Sequence, residues 1–175
     1  MKSATRLGWI PAAISAFIMT LVSPAVALDS EFERTTLAGL TGVKVEVWHE
    51  NPDAERDGLW RSTLQTDVEL KLRQAGIRVP AEDKWPGTPG APFLRLTVGT
   101  LRVDDRLYAY CVHLKLYQDV RLARDPTVTV PAPTWHPRDQ IGTVPPKNLS
   151  NEVRESVRDM VDKFINAYLA ANPKR

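Results

Sequence analysis

The sequence predicts an α+β two-layer sandwich, in which two helices pack on one face of a mixed or antiparallel sheet. Several segments alternate apolar and polar residues with the period of a half-buried strand. Two other segments each carry one apolar stripe at helical spacing, and one sheet face can receive both stripes. The predicted order is β-α-β-β-β-β-α, with no repeat and no sign of a second domain.

The N-terminus has the three parts of a secretory signal. Lys2 and Arg6 supply the positive charge, and the uncharged run "LGWIPAAISAFIMTLV" follows. This run is shorter than the roughly 20 residues of a bilayer-spanning helix, so an uncleaved anchor is the less favoured alternative. Ala25 and Ala27 form the small-residue pattern of a cleavage site, and we predict cleavage after Ala27.

Cleavage changes the charge of the chain. Without Lys2 and Arg6, the remaining basic residues balance the 21 acidic residues. A neutral chain has no general electrostatic reason to bind nucleic acid or an anionic membrane. The residue directly after the cleavage site is Leu28 and not the cysteine that is acylated in a bacterial lipoprotein. We therefore expect a soluble periplasmic or secreted protein without a membrane span, as a monomer or weak dimer. The predicted organisation is a signal peptide over 1–27, a leader segment over 28–41 and a single α+β domain over 42–175.

The first strand and helix are predicted from adjacent segments. "GVKVEVWH" alternates valine with charged residues, as a strand does. The carboxylates of "NPDAERDG" suit a helix N-terminus, so we expect a helix to begin near residue 57. Gly76 should end this helix in a left-handed conformation, with "IRV" leaving as a strand. The apolar stripe of the helix is Trp60, Leu64, Val68, Leu72 and Ala75.

A hairpin with one long strand should follow the proline-rich loop "PAEDKWPGTPGAP". The alternation of "FLRLTVGTLRV" changes phase at Gly99, and a β-bulge there would place all its apolar residues on one face. After "DDR", the stretch "LYAYCVHLKLYQDVRLARD" is too long for one straight strand at about 3.3 Å per residue. We expect it to bend or split near Gln118 and to pair on both sides. Its core row should be Tyr108, Tyr110, Val112, Leu114, Leu116, Val120 and Leu122.

The last strand and helix complete the pattern. Pro131 and Pro133 in "PTVTVPAPTW" remove donors on the same side, which is typical of an outermost strand. "HPRDQIGTVPPK" is predicted to be irregular. A helix follows, which Asn148 or Ser150 can cap and which Asn172 should end. Its stripe is Leu149, Val153, Val157, Met160, Val161, Phe164, Tyr168 and Leu169.

Catalytic, metal and cofactor patterns are weak in this chain. Cys111 and His113 fall on one strand face, where a thiol and an imidazole could form a nucleophile of a small exported hydrolase. No glycine-rich turn surrounds Cys111, so burial of the thiol, or pairing between chains, are the alternatives. The histidines have no metal-ligand spacing, and no nucleotide fingerprint is present. We therefore expect no metal and no cofactor.

Three residues in proline-rich loops are candidates for contact with a partner. Trp85 lies in "DKWPGTPG", and Trp135 and His136 lie in "PTWHPRD". An aromatic side chain held among prolines loses little conformational entropy when it binds. The alternative is that each tryptophan folds over one end of the core.

The stretch "TLQTDVELKLRQAGIRV" resembles part of several envelope domains. A strand, an amphipathic helix and a helix-Gly-strand exit in a small exported chain are similar to the N-terminal domain of TolB and to the lipoprotein activators of penicillin-binding proteins. The chain also looks like a member of an uncharacterised family of secreted bacterial proteins. This resemblance implies a non-enzymatic role in contact with other proteins.

These observations favour a soluble envelope protein that acts by binding, as an adaptor for an envelope protein or small ligand. The alternative function is the hydrolase at Cys111 and His113. A structural subunit that assembles through sheet edges is disfavoured by Pro131 and Pro133.

Overall fold

The structure is a computed structural model that describes residues 31–81, 84–85 and 87–173. Within these ranges the chain forms four α-helices and five β-strands. The predicted signal peptide lies outside the described residues. The elements are α1 (Glu31–Thr35), β1 (Lys44–Trp48), α2 (Pro52–Arg56), α3 (Arg61–Gln74), β2 (Phe93–Asp104), β3 (Leu107–Leu122), β4 (Asp125–Trp135), β5 (Gln140–Val144) and α4 (Leu149–Ala171).

The strands form one mixed open sheet, which confirms the predicted α+β class. Its order is β1-β2-β3-β4, and β5 also pairs with β3. β1 runs parallel to β2, and all the other pairs are antiparallel. β2 occupies one edge of β3, so the other edge of β3 is shared by β4 and β5. The outermost position predicted for the strand with Pro131 and Pro133 is confirmed.

The helices and the sheet form two layers around one core. α3 packs on β1, α4 packs on β3, and the two helices contact each other. Alternate residues of β3 point into this core and are buried as predicted: Tyr108, Tyr110, Val112, Leu114 and Leu116. We call the other side of the sheet the open face, and its central residues are Lys44, Glu46, Trp48, Phe93, Arg95, Thr97, Cys111, His113, Lys115 and Tyr117.

The number of strands and their order relative to the two long helices α3 and α4 are as predicted, but one strand is a different segment. Residues 77–79 are not a strand, although the Arg78 carbonyl accepts a hydrogen bond from the Val43 N–H at 3.0 Å. The fifth strand is β5, which lies in the segment that we predicted to be irregular. Gly142 allows this pairing, because an ideal Cβ there would lie 2.6 Å from Oη of Tyr110.

The β-bulge is present at a different position from the predicted one. Gly99 stays in register opposite Cys111, and the register shift lies between Arg102 and Asp104. Leu101 therefore points away from the core and is 66% exposed. Gly99 is required for a different reason: a Cβ atom at this position would lie only 2.8 Å from the Cys111 Sγ. The missing side chain makes room for the thiol.

β3 extends beyond the rest of the sheet. It is one continuous strand of 16 residues, so it does not split near Gln118, but its pairing with β4 has a register shift between Leu116 and Tyr117. Pairing with β2 ends one residue before Gln118, and the residues beyond pair with β4 alone. The Gln118 amide donates to the Thr36 carbonyl at 3.0 Å and to the Thr134 hydroxyl at 2.8 Å. Val120 and Leu122, predicted to be core residues, are therefore only partly buried in a two-stranded arm.

The single helix predicted near residue 57 is two helices. The Asn51 side chain caps α2, and α3 begins after Trp60, which makes no side-chain cap. Asp57 is not at a helix N-terminus but is the C-cap residue of α2, and its carboxylate accepts a hydrogen bond from the Tyr108 hydroxyl at 2.8 Å. Burial of Tyr108 and this bond to Asp57 raise the pKa of the phenol. Gly76 follows α3 with φ +79°, as predicted.

The segment before β1 packs against the end of α4. Leu37 and Leu40 lie in the core. The Asn172 side chain accepts a hydrogen bond from the Gly39 N–H at 2.8 Å and donates to the Leu37 carbonyl at 2.9 Å. Asn172 also ends α4, as predicted, while Asn148 begins it without a side-chain cap.

Candidate functional site

Trp85, one of the predicted contact residues, lies on the open face. Its ring meets Phe93 edge-on, with centroids 6.0 Å apart and planes at 77°. Its Nε1 donates a hydrogen bond to the Pro92 carbonyl at 3.1 Å, and the Lys44 Nζ lies 4.7 Å from the ring centroid. Trp85 is only partly buried, so a fixed aromatic ring contributes to this surface.

Arg95 is at the centre of the open face. Phe93 and Tyr117 are cross-strand neighbours, and their rings stack at 5.0 Å with planes 3° apart. The Arg95 guanidinium carbon lies 5.0 and 4.8 Å from these two ring centroids and 4.7 Å from that of Trp48. Each cation–π contact of this kind contributes about 0.5 to 1 kcal/mol at an exposed site. Three rings therefore hold the guanidinium in place.

Glu46 connects two cations of the open face. Its Oε2 accepts from the Arg95 Nε at 3.3 Å and from the Arg95 Nη2 at 3.1 Å. Its Oε1 lies 3.4 Å from the Lys44 Nζ. One carboxylate is thus shared by two cations, so Lys44, Glu46 and Arg95 together keep a net positive charge.

Trp135 and His136 lie away from Trp85. Trp135 is 0% exposed, and its ring packs edge-on against Phe164 with centroids 5.3 Å apart. This buried position leaves no ring surface for a partner and matches the alternative in which the tryptophan covers the core. His136 is partly buried, and its Nε2 lies 3.9 Å from the Glu33 Oε1. The three predicted contact residues therefore do not form one surface.

Cys111 and His113 share the open face but are not hydrogen-bonded to each other. The Cys111 Sγ packs against Gly99 and has no hydrogen-bond partner among the residues that the structure describes. The His113 Nδ1 lies 2.9 Å from the Asp139 Oδ2. A thiol nucleophile needs a base within hydrogen-bond reach, so the pair required by the hydrolase alternative is not assembled here. Over the described ranges, no group of three or more His, Cys, Asp or Glu side chains could hold a metal ion.

A groove of about 860 Å³ runs along the outer edge of β1. Trp60, Ser62 and Gln65 line it from the side of α3, while Trp48 and Arg95 line it from the open face. Since the walls come from both sides of the sheet, the floor is the edge of β1. Trp48 and Trp60 are 57% and 51% exposed, which is unusual for residues of this size. We call this site the β1-edge groove.

Some of the backbone N–H and C=O groups at the floor of the groove are already hydrogen-bonded to other parts of the protein. Lys44 donates to the Pro92 carbonyl on the β2 side, so its neighbours Val43, Val45 and Val47 direct their backbone groups to the outer side. The Val43 N–H bonds to a loop carbonyl, and the Val45 carbonyl accepts from the Gln65 amide at 3.0 Å. The Gln65 side chain therefore occupies the place that the N–H of an added strand would take.

Trp48, Trp60 and Arg95 were missed as site residues, although the sequence contained a signal for one of them. In "GVKVEVW" the valines fill the buried row, so Trp48 falls in the polar row with Lys44 and Glu46. A large aromatic side chain in a solvent-facing row is a candidate for contact. Trp60 appeared to belong to the helix stripe, but it lies one residue before α3 begins.

Comparisons with known proteins found little similarity. No family model and no curated protein matches the chain. Among solved structures, the chain is similar to a minor lipoprotein from Acinetobacter baumannii, with a TM-score of 0.34 and 12% identity, over 76% of this chain and 93% of that chain. So weak a likeness leaves the resemblance to envelope domains a prediction. In the described part of the chain, no helix combines the length and the apolar character that crossing a bilayer requires.

Proposed function

We propose that this protein is an exported envelope protein that binds an extended segment of a partner protein in the β1-edge groove. The partner segment would add to the sheet as a strand beside β1. The observation that carries this proposal is the groove itself, in which two exposed tryptophans flank an outermost strand. Strand addition supplies affinity through backbone hydrogen bonds and specificity through alternate side chains.

The two edges of the sheet differ in a way that favours β1. β4 carries Pro131 and Pro133, which cannot donate hydrogen bonds to an added strand. β1 contains no proline, and its Val45 carbonyl is covered by the side-chain amide of Gln65, which also donates to the Glu69 carboxylate. Exchange of that side chain for a partner N–H replaces one hydrogen bond by another, so its displacement costs little.

The flanking tryptophans would provide the main affinity. Tryptophan is enriched among residues that contribute most to binding, because it buries a large area with few rotatable bonds. Glu46, Arg61 and Arg95 add charges of both signs around the groove. A partner segment with alternating apolar and polar residues, and with charges of both signs, fits this lining.

Export is tested separately from binding. The protein recovered from the periplasm or the medium should begin at Leu28, because the predicted cleavage follows Ala27. Intact-mass spectrometry measures this directly. Recovery of the full chain, with Met1 retained, from the cytosol would remove the basis for an envelope role.

Binding at the groove is tested with peptides selected from a random displayed library against the purified protein. A selected peptide should slow amide hydrogen exchange at Val45 and Val47, because the N–H groups of these residues point to the outer edge of β1. Replacement of Trp48 or Trp60 by alanine should weaken binding by at least about tenfold each.

The matched control for these substitutions is Ile141→Ala. Ile141 is 79% exposed and lies on β5, away from the groove, so its loss should leave peptide affinity unchanged. Equal weakening by all three substitutions would indicate a general hydrophobic effect. Exchange protection elsewhere in the sheet, with Val45 and Val47 unprotected, would contradict strand addition at β1.

A further inference from the structure

A second pocket lies on the open face where the outer edge of β3 has no strand beside it. β5 pairs with β3 only as far as Val112, and β4 begins its pairing at Leu116. The loop between β4 and β5 brings Asp139 to this gap. The pocket measures about 280 Å³ and is lined by Arg95, Thr97, His113, Lys115, Tyr117 and Asp139.

The pocket places two cations directly opposite each other. Arg95 and Lys115 are cross-strand partners in the antiparallel β2–β3 pair. Like charges in this position repel and destabilise a sheet. Glu46 offsets the charge of Arg95 from the β1 side, at 3.1 Å. Lys115 has no ion-pair partner within the described residues, so the repulsion is not fully compensated.

A histidine on the same strand adds a further polar group to this pocket. The Nδ1 of His113 lies 2.9 Å from the Asp139 Oδ2, which fixes the orientation of the ring. The Nε2 is the ring nitrogen that Asp139 does not engage. The other Asp139 oxygen, Oδ1, is buried and has no hydrogen-bond partner among the described residues. Oδ1 is an acceptor, so it can serve only a hydroxyl or N–H group of a ligand, while the anionic group of that ligand would lie on the side of Arg95 and Lys115.

A local arrangement that costs stability and is only partly compensated by its neighbours is typical of a functional site. An anion between Arg95 and Lys115 would remove their repulsion and accept charge-assisted hydrogen bonds from both. A volume of about 280 Å³ lies near the lower end of the range for ligand pockets. The space fits a small molecule or one group of a larger one.

We infer that this pocket binds a small ligand that carries a carboxylate or a phosphate group. Lys115 is the principal cation, and Arg95 is a second cation that its aromatic neighbours and Glu46 hold in place. His113, positioned by Asp139, supplies a polar contact through Nε2. The inference does not rest on peptide binding in the β1-edge groove, since the pocket opens on the β3 side of Arg95.

The test titrates the purified protein with inorganic phosphate, glucuronate and glucose and follows the amide signals of Lys115 and Tyr117 by NMR. Saturable shifts with either anion and none with glucose are expected, and the anion that binds more tightly identifies the group. Lys115→Gln should weaken anion binding by at least about tenfold, because it removes a charge-assisted hydrogen bond.

The control variant is Arg121→Gln, which removes a charge from the same face of β3 but lies in the exposed arm. It should change anion affinity by less than about twofold, since an exposed charge at this distance is screened by salt. Similar weakening in both variants would show that only the general charge matters and would overturn the inference. So would equal shifts with glucose, or the absence of saturable binding by both anions.

Discussion

Replacement of Trp135 by alanine is expected to lower the free energy of unfolding by about 3 to 5 kcal/mol. Among the described residues, Trp135 is the largest fully buried side chain; it is the cross-strand neighbour of Leu116 in β3, and its ring packs against Phe164 of α4. Its removal leaves a cavity at the junction of the two layers, and the sheet on one side and α4 on the other restrict collapse into that space. Urea unfolding followed by far-UV circular dichroism measures the loss.

The control within the same residue type is Trp48→Ala. Trp48 is 57% exposed, and its main contact is with the Arg95 guanidinium. Loss of that contact should cost no more than about 1 kcal/mol. If the two substitutions cost the same, Trp135 is not a core residue, and its original interpretation as a partner contact would regain support.

The elements with strict periodicity were predicted well. β1, the first part of β3 and α4 each repeat a burial pattern over several periods, and a repeated pattern specifies which face turns inward. Prediction failed at Leu169, which is 39% exposed although it continues the stripe of α4, while Ile165 is buried instead. The last turn of a helix extends past the layer it covers, so apolar character there no longer implies burial.

The strand β5 could not be predicted because its pattern is weak. "QIGTV" has one buried apolar residue, Val144, and its Gly142 suggests a turn when read alone. The structural reason for that glycine is the ring of Tyr110, which lies where a side chain would be. Only the three-dimensional position of Tyr110 makes the glycine compatible with a strand.

The site depends on strand register, which the sequence leaves open. The two-residue turn after Asp104 would pair Arg95 with Leu116 if the register continued unchanged, and an outward residue would then oppose an inward one. The shift between Arg102 and Asp104 corrects this mismatch and places Arg95 opposite Lys115. A bulge was therefore required, but the apolar Val103, which is 56% exposed, concealed its position.

The contact of β1 with β2 is still harder to predict. These strands are parallel and separated by two helices and a long loop, so no turn sets their register. The ion pair of Glu46 with Arg95 and the approach of Trp48 to the same guanidinium both follow from this register. Side chains that meet across such a pair leave no local signal in the sequence.

Leu114→Ala is expected to lower the free energy of unfolding by about 2 to 5 kcal/mol, whereas Lys115→Ala should change it by no more than about 0.5 kcal/mol. Leu114 is 0% exposed and lies opposite Leu96 beneath α4, so its truncation leaves a cavity in the centre of the core. Lys115 is its neighbour in sequence but faces the open side.

Two opposing contributions keep the change in the free energy of unfolding small for Lys115→Ala. The substitution removes packing of the lysine stem on the sheet, but it also removes repulsion from Arg95 directly opposite. Urea unfolding of both variants, with the slope of the transition compared, separates a change in stability from a change in the unfolded state. Equal losses at the two positions would mean that both faces of β3 are buried, and the open face could then be neither a groove wall nor an anion site.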